Sequence, residues 1–139
     1  MTIVVVDASI VIAGSLRDEN RDDRALAFRV FEQIRQGSGL APSQWWAEIA
    51  NTLVVALRRN RLQAEEIAPI LDDVAALAVT CEPASLRATL AATTLAQRHG
   101  LTVYDAAYLE LALRTKATLA SLDRAMLRAA ADEGVAVFA

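Results

Sequence analysis

Lysine, histidine and cysteine are almost missing from this 139-residue sequence, which has one of each: Lys116, His99 and Cys81. A single cysteine closes no intrachain disulfide and builds no thiolate metal cluster, and Cys81 reads as a small buried apolar residue at the end of a strand. Without lysine, the positive charge is almost all arginine, and the net charge is −3. That balance excludes a global basic field for nucleic acid. It leaves room for local arginine patches, whose forks grip phosphate bidentately. No apolar run approaches the ~18 residues that span a bilayer. No basic region precedes the first apolar stretch, which is strand-length and ends in Asp7, so neither a secretory signal nor a membrane partner is expected and a cytoplasmic location is. There is also no linker, internal repeat or low-complexity stretch. The expectation is one domain over residues 1–139.

Apolar residues are plentiful, at 55%, against about 45–50% in an average soluble domain. Much of the excess is Ala and Leu in helical stretches. Either the domain is rich in helix or it keeps an apolar surface for a partner.

The chain is organised around Ile3-Val4-Val5-Val6, an apolar run that reads as a strand buried on both faces, as in a parallel sheet. Asp7 follows directly, at the carboxyl edge where open α/β folds place their ligands. A short helix over 8–14 ends at Gly14, and the charged segment 17–23 leads into a helix from Asp22 to Gln36. After the Gly37-Ser38-Gly39 break, Leu40-Ala41 is a short strand. Pro42-Ser43 opens a helix to about Arg59, with Ser43 as N-cap. Its expected core stripe is Trp46, Ile49, Ala50, Leu53 and Leu57, with Glu48 and Asn51 together on the opposite face. Further helices are expected over 63–77, with Pro69 a local distortion, from Pro83 to His99, and from Tyr104-Asp105 to Thr115 with Thr102 and Asp105 as a capping pair. Strands are expected at 79–81, 117–120 and 135–138, and a last helix runs from Asp123 to about Asp132. Strands alternating with helices through short connections predict an α/β layered domain with a parallel sheet.

Four acids stand at structural junctions: Asp7 and Asp123 after strands, Asp105 at a helix start, and Glu48 in a helix. Taken singly, Asp7 and Asp123 read as helix caps, Asp105 as a complement to a helix dipole and Glu48 as an exposed helix residue. Taken together, three of them fall on one edge of the sheet. Gathered carboxylates repel one another, and their ionised state is tolerable with a cation between them. With one histidine and no cysteine cluster, such a site is all oxygen and suits Mg²⁺ or Mn²⁺ rather than Zn²⁺. It is able to activate water for attack on a phosphodiester.

The residues around these acids resemble the PIN-domain ribonucleases, and among them the VapC toxins of bacterial toxin–antitoxin pairs. The likeness rests on Val5-Val6-Asp7-Ala8-Ser9, on Glu48-x-x-Asn51, on the run from Leu101 through Tyr104-Asp105-Ala106-Ala107-Tyr108 to Ala112, and on Ser121-Leu122-Asp123-Arg124. The resemblance implies a PIN-like three-layer α/β domain with a central, mostly parallel sheet flanked by helices. It also implies a metal-dependent endoribonuclease, held by a cognate antitoxin and dimeric. Carried over position by position, Asp7, Glu48, Asp105 and Asp123 are the catalytic and metal-binding acids, with Ser9, Asn51 and Ser121 as polar support.

For RNA contact, Arg17, Arg21 and Arg24 before the second helix and Arg58, Arg59 and Arg61 after the third are the candidate phosphate grips; each also reads as a solvated charge. His99 reads as a complement to its helix dipole. Trp46 falls on the core stripe, and Trp45, off the stripe, is left to serve an interface. Two unrelated α/β readings fit less well. A phosphate-accepting receiver wants an adjacent acidic pair after the first strand and a lysine after the last long one; a haloacid-dehalogenase-like phosphatase wants an Asp where Ser9 stands. A PIN fold used only for binding would have lost a carboxylate, and none is lost here.

Overall fold

The structure, a computed structural model, describes residues 2–139. Four strands form one sheet: β1 (Ile3–Val6), β2 (Ser38–Ala41), β3 (Thr80–Cys81) and β4 (Thr118–Ala120), in the spatial order β3-β2-β1-β4. Every pairing is parallel; Val4 lies opposite Gly39 on one side of β1 and Val5 opposite Leu119 on the other. Val4, Val5 and Val6 are all wholly buried. Successive strand residues point to opposite faces, so both faces of β1 are covered and the domain has three layers. Because all strands run the same way, their carboxyl ends share one edge.

The covering layers are seven helices: α1 (Ala8–Ser15), α2 (Arg21–Gln36), α3 (Trp45–Arg58), α4 (Ile67–Ala75), α5 (Leu86–His99), α6 (Val103–Thr115) and α7 (Arg124–Asp132). α2 starts where Asn20 accepts hydrogen bonds from the N–H groups of Asp22 and Asp23 at 2.8 and 3.2 Å, and it buries Ala27, Val30, Phe31 and Ile34. Gly37 lets β2 come close to the chain ahead of β1: a Cβ there would stand 2.3 Å from the Thr2 carbonyl oxygen, which accepts from Ser38 N–H at 3.2 Å. α5 stops at Gly100, whose φ of 65° is one that glycine adopts without strain.

Several expectations need correction. α3 begins at Trp45, not Ser43, and Gln44 at its N-cap makes no side-chain cap bond. Its buried stripe is Trp45, Ile49, Leu53 and Ala56, while Trp46 is 38% exposed. The two tryptophans thus exchange their expected roles. Ile49 is four residues from Trp45 and three from Trp46, so helical spacing fits either, and tertiary packing chooses. The helix expected over 63–77 is a 3₁₀ turn (Ala64–Glu66) followed by α4, with Pro69 in the first turn of α4, where its missing N–H costs nothing. α5 begins at Leu86 behind the cap Ser85 rather than at Pro83. The closing strand is reduced to one bridge between Leu119 and Val137, held by Leu119 N–H to the Ala136 carbonyl and Phe138 N–H to the Leu119 carbonyl. Among the described residues, no helix is long and apolar enough to cross a membrane.

Candidate active site

Asp7 takes the N-cap position of α1, yet its side chain caps nothing. Its Oδ2 instead accepts two hydroxyl hydrogen bonds, from Ser9 Oγ and from Ser121 Oγ, each at 2.7 Å. Those hydroxyls are aimed by backbone donors: Leu122 N–H donates to Ser9 Oγ at 3.1 Å, and Asp123 N–H donates to Ser121 Oγ at 3.0 Å. With both serine oxygens accepting from the backbone, their protons are left for Asp7. The end of β1 and the end of β4 are thereby pinned together at one carboxylate. Asp7 is only 6% exposed. Burial pushes its carboxyl above the ordinary range; the two serines pull it back, and the charges of Asp105 and Asp123 push it up further.

Glu48, in the first turn of α3, is half-buried and faces the same charges. Burial raises its carboxyl, the Tyr108 hydroxyl lowers it, and the charges of Asp7 and Asp105 raise it again. Tyr108 donates its hydroxyl to Glu48 Oε1 at 3.2 Å. Asp105 lies in the first turn of α6, which Thr102 caps by accepting Asp105 N–H at 3.1 Å. Its carboxyl is raised by burial and by the charge of Asp123. Asp123 does cap α7, Oδ1 accepting Met126 N–H at 3.0 Å. A common pattern emerges at Asp7, Glu48 and Asp123: one carboxylate oxygen is held by a protein donor and the other is left over.

Three of these acids, Asp7, Glu48 and Asp123, border a cleft of about 430 Å³ at the carboxyl edge, lined also by Ser9, Glu19 and Thr52; Asp105 is not in its lining, although its charge acts on Asp7 and Glu48. Among the described residues, no arginine, lysine or histidine forms an ion pair with any of the four acids. Nor do any three acidic, histidine or cysteine side chains, as placed, form a group able to hold an ion. The cluster is open. Its chemistry still fits a hard divalent cation: the donors are all oxygen, the charges repel, and no protein cation neutralises them.

Of the expected support residues, Ser9 and Ser121 reach Asp7, but Asn51 does not join the site. It is exposed on α3, and Thr52 faces the cleft instead. Two of the six candidate phosphate grips are occupied. Arg61 binds both oxygens of Asp18 at 2.9 and 3.0 Å and Glu19 at 3.0 Å. Arg24 donates to the Leu16 carbonyl and lies 5.5 Å over the Phe28 ring. Arg17, Arg21, Arg58 and Arg59 are exposed. His99 lies in the last turn of α5 with Nε2 2.7 Å from Glu133 Oε2, away from the four acids. Sequence reasoning passed over Tyr108, Thr52 and Glu19 as site residues. Tyr108 sits three residues after Asp105, a helical spacing that gave a signal for it; Glu19 gave none.

The PIN-domain family model matches residues 4–132. The chain is a PIN domain. Among PIN-domain relatives, Ribonuclease VapC3 of Pyrobaculum aerophilum is 33% identical over 122 residues, covering 87% of this chain and 89% of that protein. The PIN fold is also met in solved structures. PAE2754 from Pyrobaculum aerophilum superposes with a TM-score of 0.68 at 20% identity, over 92% of this chain and 84% of that one. FitAcB from Neisseria gonorrhoeae superposes with a TM-score of 0.60 at 16% identity, over 98% and 96%. At those identities the likeness is one of fold.

Proposed function

We propose that this PIN domain is a metal-dependent endoribonuclease, the toxin of a VapBC-type pair. Its acids Asp7, Glu48, Asp105 and Asp123 would hold Mg²⁺ or Mn²⁺. The observation that carries the reading is Asp7: a buried carboxylate, gripped by two hydroxyls, among three further acids with no protein cation to offset them, in a chain one-third identical to a ribonuclease. A bound divalent cation at such a site supplies an activated water and stabilises charge on the leaving oxygen of a phosphodiester.

The chain's own residues prepare that chemistry. Ser9 and Ser121 hold one oxygen of the Asp7 carboxylate and leave the other unengaged, in a residue that lines the cleft. Asp123 spends one oxygen on capping α7 and keeps the other. Arg58 and Arg59, exposed at the end of α3 and free of ion pairs among the described residues, are the phosphate grips this reading favours. A cognate antitoxin and a homodimer in the cytoplasm complete the proposal. For the dimer, Leu86 and Leu90, one turn apart on α5, are 76% and 60% exposed and offer apolar area for an interface.

The test is cleavage of total cellular RNA by the purified protein, with Mn²⁺ and with chelator, beside an Asp105→Asn control. Discrete cuts that need both the metal and Asp105 are expected. Uncut RNA across the whole pool, or equal cutting by the control, refutes the reading.

A further inference from the structure

We infer that Tyr108 is a positioning residue, which presents Glu48 to the cation; the inference rests on the nuclease reading above. Tyr108 is completely buried on α6, one helical turn after Asp105 and on the same side of the helix. A phenol hydroxyl with no access to water needs a partner inside the protein. It donates to Glu48 Oε1 at 3.2 Å, across 60 residues of sequence, and the Ala8 N–H at the start of α1 also faces it. One hydroxyl therefore ties together the β1–α1 junction that carries Asp7, the helix that carries Glu48 and the helix that carries Asp105.

Glu48 needs such a tie. Its side chain has three rotatable bonds and is only half-buried, so its carboxylate depends on hydrogen-bond donors to stay in the cleft rather than in solvent. The Gln44 amide is a second donor to this carboxylate, and it also donates to the Tyr104 carbonyl at 2.9 Å, so it is shared where Tyr108 is not. Tyr108 holds Oε1 and makes no bond to Oε2. Ser9 and Ser121 do the same for Asp7, one oxygen held and one presented. Apolar packing alone does not require the hydroxyl, since a phenylalanine fills nearly the same space. Outer hydrogen bonds that orient a metal's ligands are worth about 10–100-fold in affinity.

The experiment is Mn²⁺ titration of purified wild type, Tyr108→Phe, Glu48→Gln and the double variant, by calorimetry and by the electron paramagnetic resonance signal of free Mn²⁺. Melting of the metal-free proteins is followed alongside. Tyr108→Phe keeps the whole ring in its packing and loses only the hydroxyl's hydrogen bonds, so its metal-free melting temperature falls by no more than about 3–5 °C. Its Mn²⁺ affinity is expected to fall about 10–100-fold. The double variant is expected to bind no more weakly than Glu48→Gln alone, because the hydroxyl acts through that carboxylate. Wild-type affinity in Tyr108→Phe, or losses that multiply in the double variant, overturns the positioning role and leaves the nuclease reading standing. A wild-type protein that neither binds Mn²⁺ nor cuts RNA overturns the nuclease reading and this inference with it.

Discussion

Replacing Asp7 by asparagine should abolish cleavage and stabilise the metal-free protein. Both serine hydroxyls that reach Asp7 donate to the same oxygen, Oδ2. An asparagine can place its carbonyl oxygen there and keep both bonds. Its NH₂ group then stands among the charges of Asp105 and Asp123, which repel a carboxylate and attract an amide. The loss is the charge assistance in two hydrogen bonds, about 1 kcal/mol each. The gain is relief from burying a charge, and it is the larger effect, since Asp7 is raised above its ordinary 3.8 despite the serines. Removing such functional strain from a site typically yields about 0.5–2 kcal/mol. For a chain of this length, 1 kcal/mol corresponds to roughly 3–5 °C in melting temperature.

The pH dependence follows from the same raised value. The folded state holds the Asp7 proton at a pH where the unfolded chain has released it, so wild-type stability from this group falls as pH rises above 3.8. The advantage of Asp7→Asn should therefore be full near pH 7 and shrink as the solution is acidified towards that value. Thermal melts in chelator, stepped from pH 7.5 down to pH 4.5, measure it. With Mn²⁺ at about 100 times its dissociation constant the order should reverse, because wild type alone gains about 2.7 kcal/mol from the ligand. A variant that melts at or below wild type at neutral pH, or a difference that does not change with pH, refutes the reasoning.

The exchange of tryptophan roles predicts that Trp45→Ala costs about 3–5 kcal/mol in denaturant melts, while Trp46→Ala costs a small fraction of that. Equal losses would restore the stripe expected from spacing. If Arg58 and Arg59 grip phosphate, changing both to Ala should flatten the salt dependence of binding to single-stranded RNA by about 0.7 for each phosphate no longer neutralised. Arg61→Ala should leave that slope unchanged and instead speed amide exchange over residues 17–20, since its partners are Asp18 and Glu19. Asn51→Ala should cut RNA like wild type, and a large loss of rate would place Asn51 in the site after all.

Much of this architecture is written locally. The valines before Asp7 announce a buried parallel strand, and strands alternating with helices announce the layers. What local pattern does not carry is the choice among equivalent neighbours. Trp45 and Trp46 both suit a stripe through Ile49, and only the position of α3 against the sheet decides between them. Asp123 shows a bland reading and a functional one sharing one side chain, because a carboxylate has two oxygens and the cap uses one. Arg61 reads as a free charge until the fold brings it to Asp18 and Glu19, more than 40 residues earlier. Tyr108 looks like one more core residue in an apolar helix, and it is; its hydroxyl acquires meaning from a glutamate 60 residues away. The 135–138 segment has the composition of a strand but finds β4 only at Leu119, where three-residue β4 leaves little ladder to extend.

The bond from Ser121 to Asp7 joins residues 114 apart. A growing chain lays down Asp7 and Glu48 before the strand that completes one side of β1, the serine that grips Asp7 and the acid at position 123. A contact so distant in sequence also has to close a long loop, whose entropy cost is met before the contact repays it. The cleft therefore has a birth date: before residues 118–123 dock, the chain carries the acids but not the site.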